Sequence, residues 1–269
     1  MAVIWGLHLK EMQWAKFKSS YMWNKEYHLR RTKFIVYQCA MIFCVVSESL
    51  GTAALSDYVD QQDFVARLNS NVTVHNNNFI GIASYNIFVG VYVATIFGSA
   101  FFFDLFWPER HESYPVKLAW RICSVLACLF TLSAALAFTV ILATKSAYVT
   151  GADADTATEL LRRYGGSPLR YRDNGRGIAS VVFLWPGWVA TVASTFLLWN
   201  SLSHIDAYGP KSTHARNAVK DADGPVDEKS PENASRLSDS ERPVETNLPA
   251  TVSTPKRLEN DGLNQASLD

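Results

Sequence analysis

Cysteine is scarce in this chain, and none of it is placed to staple a loop. Cys39, Cys44, Cys123 and Cys128 all fall inside long apolar stretches, which excludes a disulfide framework in the polar segments. Net charge is absent too: 25 Lys and Arg are balanced by 25 Asp and Glu, so the electrostatic footprint of a nucleic-acid binder is missing. His8, His28, His75, His111, His204 and His214 are scattered, with no pair at metal-ligand spacing, and no metal or cofactor is expected. The chain has no Gly-rich phosphate loop, nucleophile elbow or zincin helix. An enzyme is therefore not expected.

What the chain does have is four long apolar runs. Roughly 20 apolar residues cover the hydrocarbon core of a bilayer, and Phe34 to Ser56 meets that length with one charge, Glu48. Further spans are expected at about 79–103, 118–144 and 178–200. The fold expected is all-α, a four-helix transmembrane bundle. Residues 204–269 are rich in Ser, Pro, Asp, Glu, Asn and Lys with no apolar run, which predicts a disordered cytosolic tail. Within it, Ser230-Pro231 and Thr254-Pro255 are candidate phosphorylation sites, and Asn233 heads a sequon that a cytosolic tail would leave unused.

Residues 1–33 form a basic, aromatic flank, with Lys10, Lys16, Lys18, Lys25, Arg30, Arg31 and Lys33 against Glu11 and Glu26, and Trp5, Trp14, Tyr21, Trp23 and Tyr27 between them. Such a flank suits a cytosolic headgroup region. The first span is then expected to act as an uncleaved signal anchor, with both termini cytosolic in the plasma membrane or another secretory-pathway membrane. That orientation places residues 57–78 outside, where Asn71-Val-Thr73 is a usable glycosylation sequon. The second outer segment, 145–176, carries Arg170, Arg172 and Arg176, more basic than the positive-inside rule prefers. Thr156 and Glu159 have capping-box spacing, Glu159 can pair with Arg162 and Arg163, and Gly165-Gly166 ends the pattern, so a surface helix is predicted at 156–164. Beyond the second span, Asp104, Glu109, His111 and Glu112 read as a solvated loop, with a cytosolic interfacial site as the alternative.

Two patterns inside the spans bear on function. Small residues four apart let membrane helices approach closely. Gly90, Ala94 and Gly98 have that register on the second span, as do Cys123, Ala127, Thr131 and Ala135 on the third; these faces are expected to pack together or to form a homo-oligomer contact. The second pattern is a polar level. Glu48 lies about 4.5 Å beyond the midpoint of its span at 1.5 Å per residue, and counting along the other spans brings Tyr85, Asn86, Ser133 and the Pro186 break to similar depth. An acid facing lipid there costs on the order of 2 to 4 kcal/mol, so Glu48 is expected to face the bundle and bond to Asn86 or Tyr85. It would serve either as interhelical glue or as a proton or cation site.

The missing loop cysteines set the chain apart from tetraspanins and claudins. In layout, with four spans, cytosolic ends, modest outer loops and a polar tail, residues 34–200 resemble the MARVEL-type membrane-organising proteins, with no shared motif. The resemblance implies a non-enzymatic role in organising the lipid bilayer, with the tail recruiting cytosolic partners. The competing expectation is a small transporter or channel subunit built on Glu48, Asn86 and the fourth helix broken at Pro186.

Overall fold

The structure is a computed structural model and describes residues 3–4, 7–8, 11–110 and 112–222. His111, Ser230, Asn233 and Thr254 lie outside the described residues. Two short paired strands, β1 (Val3–Ile4) and β2 (Leu7–His8), precede a turn of 3-10 helix at Trp14–Phe17 and a single helical turn, α1 (Ser19–Met22). Four long helices follow: α2 (Arg30–Leu68), α3 (Asn77–Phe106), α4 (Tyr114–Thr144) and, after intervening loop structure, α6 (Gly175–Tyr208). Each is long and apolar enough to cross a membrane, and each contains one of the expected spans. This is the pattern of an integral membrane protein.

The helices form a ring in which α2 packs on α3 and α6, and α4 closes the far side against the same two. Each buries a stripe at helical spacing. On α2 the stripe is Tyr37, Ala40, Cys44, Ser47, Gly51, Ala54, Tyr58, Gln61 and Val65, steps of three and four that keep one face inward. The outward faces are more apolar than the interior: Ile42, Val91, Leu129, Val140, Val182 and Phe196 are exposed, whereas Ser47, Asn86, Ser124, Thr131, Ser180, Thr191 and Ser194 are buried. Such a distribution suits a lipid solvent, in which helices associate through close packing and hydrogen bonds rather than by hiding apolar surface.

The small-residue stripes pack within the chain. A side chain at Gly98 would meet Met41 Sδ at 3.3 Å, and one at Gly90 would run into Glu48, so this face of α3 lies on α2. On α4, Ala127, Thr131 and Ala135 are fully buried, Cys123 less so. Pro186 leaves α6 unbroken between Gly175 and Tyr208. The glycine after it brings α6 close to α2, since a Cβ at Gly187 would sit 3.0 Å from Cys44 Sγ.

At one end of the bundle α2 runs on for twelve residues past its span, about 18 Å at the helical rise, and organises both loops there. Tyr58 Oη donates to the carbonyl of Pro168 (2.9 Å) and Gln61 Nε2 to that of Ser167 (2.9 Å). Strand β3 (Thr73–His75) pairs antiparallel with β4 (Tyr148–Thr150), so a two-stranded ribbon joins the loops that no disulfide joins. Tyr58, Phe79, Phe138 and Tyr171 stack beneath, with ring centroids 4.6 to 5.6 Å apart, a spacing at which each pair adds about 0.5–1.5 kcal/mol. Burial, then neighbouring Tyr58, pushes the Tyr171 phenol up to about 12. The predicted surface helix is α5 (Ala154–Tyr164). Its ion pairs are Glu159 with Arg162 (2.9 Å) and Arg163 (3.1 Å), and Gly165 ends it at φ 63°. The N-cap is Asp153 rather than Thr156, three residues earlier than the capping-box spacing implies.

The other end is more ordered than the composition of 204–269 suggests. Helix α6 continues to Tyr208, and α7 (Thr213–Ala222) follows. The link between them is held on the N-terminal segment: Tyr27 and Lys211 form a β-bridge, and Ser212 donates from N to Glu26 O (2.8 Å) and from Oγ to Lys25 O (2.7 Å). The expected boundary at 204 therefore moves: residues through 222 belong to the folded part.

Candidate functional site

The five residues expected to share a polar level divide into separate groups. At the centre Asn86 is buried, and its Nδ2 donates to Ser47 Oγ (3.2 Å) and Ser180 Oγ (3.4 Å). Ser180 Oγ in turn donates to the backbone carbonyl of Ser47 (2.8 Å), and the two serine hydroxyls lie 3.2 Å apart. Three helices are thus tied by one closed network. Tyr85 bonds instead to Ser133 (2.8 Å) between α3 and α4, away from that centre. Pro186 precedes Gly187, where an added Cβ would meet Cys44 and Phe43 of α2.

Glu48 joins none of these. It is half-buried on α2 with its side chain lying over Gly90 of α3, and its carboxylate bonds to neither Asn86 nor Tyr85. The reason is angular. Ser47 occupies the inward stripe of α2, and the next residue is turned about 100° around the helix, which carries Glu48 to the α2–α3 groove. The expected Glu48–Asn86 contact is corrected on this geometry. Ser47 and Ser180 do the interior work, and the inward run Ala40, Cys44, Ser47, Gly51 and Ala54 was the signal for Ser47.

A second polar group, at the end carrying the N-terminal segment, is larger. Lys33 Nζ donates to Asp104 Oδ2 (2.7 Å) and Ser201 Oγ (2.9 Å), linking the ends of α2, α3 and α6. Arg110 Nη1 meets Asp104 Oδ1 at 3.0 Å and the Trp107 carbonyl at 3.3 Å, while its Nε pairs with Glu112. The side chains of Lys33 and Asp104 are only 7% and 13% exposed. Burial disfavours the Arg110 charge, but Asp104 and Glu112 outweigh it and hold the guanidinium above its ordinary pKa. The reading of Asp104 and Glu112 as part of a solvated loop is thereby corrected; Glu109 meets the hydroxyl of Tyr27 at 3.4 Å.

Beside this network stands Arg30, 2% exposed. Tyr21, Tyr27 and Phe34 surround its guanidinium, at 4.5, 5.1 and 5.3 Å from the ring centroids. Nε, Nη1 and Nη2 make no hydrogen bond. His28 and His204 stack face to face, 3.6 Å apart, and a cavity of about 20 Å3 lies among His28, Arg30, Lys33, Ser201 and Pro210. Burial, then His204, Lys33 and Arg216, hold the His28 pKa below its usual value. Among the described residues no three His, Cys, Asp or Glu side chains gather as a metal-ligand set.

The arrangement defines a membrane-helix bundle with an Asn86–Ser47–Ser180 network inside, a buried unpartnered Tyr37 hydroxyl and a charged cluster at one end. Comparison with protein-family models, curated proteins and solved structures found no match in any of the three.

Proposed function

We propose that the chain is a non-enzymatic, multi-pass membrane protein that organises the bilayer around it and recruits partners through the polar segment beyond residue 222, the role its MARVEL-type layout implies. Both termini are cytosolic in this reading. Lys16, Lys18, Lys25, Arg30, Arg31 and Lys33 gather at one end of the bundle, on the side the positive-inside rule assigns to the cytosol.

The observation that carries the reading is the closed interior. Tyr37, Phe79, Phe97 and Phe138 fill the space between the helices, and Asn86, Ser47 and Ser180 satisfy one another there. Glu48, the ionisable group of the transport reading, lies in a groove over Gly90 rather than in that network, which favours the organising role over a route through one bundle.

The test is proton and cation flux in liposomes holding the purified protein, together with lateral clustering in cells of the full chain and of a chain ending at 222. Flux equal to that of empty liposomes, with clustering that depends on the polar segment, is expected. Flux that Glu48→Gln abolishes would replace the organising role with transport.

A further inference from the structure

We propose that Arg30 and His28, at the mouth of the cavity between α2, α6 and the link to α7, bind a phosphate group, supplied either by an anionic lipid headgroup or by soluble phosphate.

Arg30 is the principal donor. Its three guanidinium nitrogens are buried without a hydrogen-bond partner, a state that ordinarily costs a group its full desolvation. The rings of Tyr21, Tyr27 and Phe34 answer its charge through their faces. Ring faces do not accept strong in-plane hydrogen bonds, and the guanidinium fork remains available to the oxyanion geometry it matches best. His28 adds a second donor: its Nε2 is buried and unpartnered, and its ring lines the same cavity.

The electrostatics agree. Asp104 also lines the cavity, but it already meets two cations, Lys33 and Arg110. Among the described residues Arg30 has no carboxylate partner, and the positive charge of Arg216 on α7 acts on both His28 and His204. Burial first, then His204, Lys33 and Arg216, depress the His28 pKa, and a bound anion offsets the share that comes from the positive groups. The backbone is bent to make the site. Leu29, between the two donors, has φ 53°, the one non-glycine residue at positive φ among the described residues, and it caps a helix whose N-terminus favours negative charge.

Size limits the ligand. A cavity of about 20 Å3 admits one water-sized group, so one phosphate oxygen enters and the rest of the group stays at the mouth. The cavity lies where α2 begins and α6 ends, at the border of the expected spans, the depth of a lipid headgroup.

The experiment uses the full chain in phosphatidylcholine nanodiscs, with phosphatidic acid as the lipid probe and inorganic phosphate as the soluble one, read by native mass spectrometry and by thermal shift. Wild type is expected to retain one of the two, and Arg30→Leu to bind it about tenfold or more weakly, with Arg30→Lys between them. Phosphatidic acid retained against excess inorganic phosphate assigns the lipid source; binding of inorganic phosphate alone assigns the soluble one. His28→Phe keeps the ring stack and removes the nitrogens, and it decides the matter if Arg30→Leu does not fold. Lys18→Gln, an exposed charge on the same flank, is expected to leave binding unchanged. Binding of neither probe by wild type, undiminished binding by the folded Arg30 or His28 variants, or an equal loss in Lys18→Gln would overturn the proposal.

Discussion

Asp104 is the residue on which the charged end of the bundle depends, and Asp104→Asn measures that dependence. The substitution keeps volume and one acceptor oxygen but removes the charge facing Lys33 at 2.7 Å and Arg110 at 3.0 Å. Breaking a buried pair costs about 3–5 kcal/mol, because the partner is left charged and desolvated. The low end applies here, about 3 kcal/mol, since Lys33 keeps Ser201 and Arg110 keeps Glu112. In a folded domain of this size that corresponds to a midpoint about 6–12 °C lower, measurable by thermal unfolding in detergent. Lys33→Met in the Asp104→Asn background is expected to recover most of the loss, because it removes the stranded charge and keeps the apolar stem. A loss below about 1 kcal/mol, or a double variant as unstable as the sum of the singles, would show that the pair is solvated and the buried-network argument wrong.

The remaining predictions address other parts of the molecule. Gly90→Ala is expected to destabilise the bundle by about 1–3 kcal/mol through overpacking, since the new Cβ lies 3.0 Å from Glu48 Cβ; unfolding of the double variant with Glu48→Ala should show relief. Asn71 is exposed and lies beyond the twelve-residue extension of α2, so glycosidase treatment is expected to shift wild type and leave Asn71→Gln unchanged; a wild type without any shift would refute the orientation. The folded His28 pKa is depressed by burial, His204, Lys33 and Arg216, so the folded state disfavours the protonated form. Its contribution is complete above the ordinary pKa of about 6.5 and is lost as pH falls below that value. Cleavage at Lys211, which docks on Tyr27, is expected to quicken on acidification in wild type and not in His28→Phe, scored against a control peptide at each pH.

The helices were legible because their signal is redundant: an apolar stretch of twenty or more residues survives errors of several positions. Contacts between helices were not, because they depend on which of two adjacent residues faces inward. Counting depth put Glu48 and Asn86 at one level, yet depth carries no angle, and Ser47 rather than Glu48 lies on the inward stripe. The charged end was hidden for another reason. Lys33, Asp104, Arg110 and Ser201 come from three regions of the chain, and each alone reads as an ordinary interfacial residue. Similarly, the segment after 204 has the composition of a solvated tail; its order through 222 comes from backbone bonds to residues 25–28, which composition does not encode.

Polarity in this bundle is graded by how completely it is answered. In the interior, the Asn86 amide, two serine hydroxyls and a serine carbonyl form a closed set, the arrangement that costs least in a medium without water. At the border, Lys33, Asp104, Arg110 and Glu112 pair charge with charge. Several groups stand apart from that economy, among them Glu48 in the groove over Gly90, Arg30 in its aromatic surround, the buried Tyr37 hydroxyl and the stacked His28–His204 pair. Glu48 lies off the inward stripe of α2, and Arg30 is buried where α2 begins. An unpaired cation buried at the end of a membrane helix bundle carries a desolvation cost that an anion reaching that end would offset. The chemistry the fold leaves open therefore includes the end of the bundle where α2 begins, around the unpaired guanidinium of Arg30.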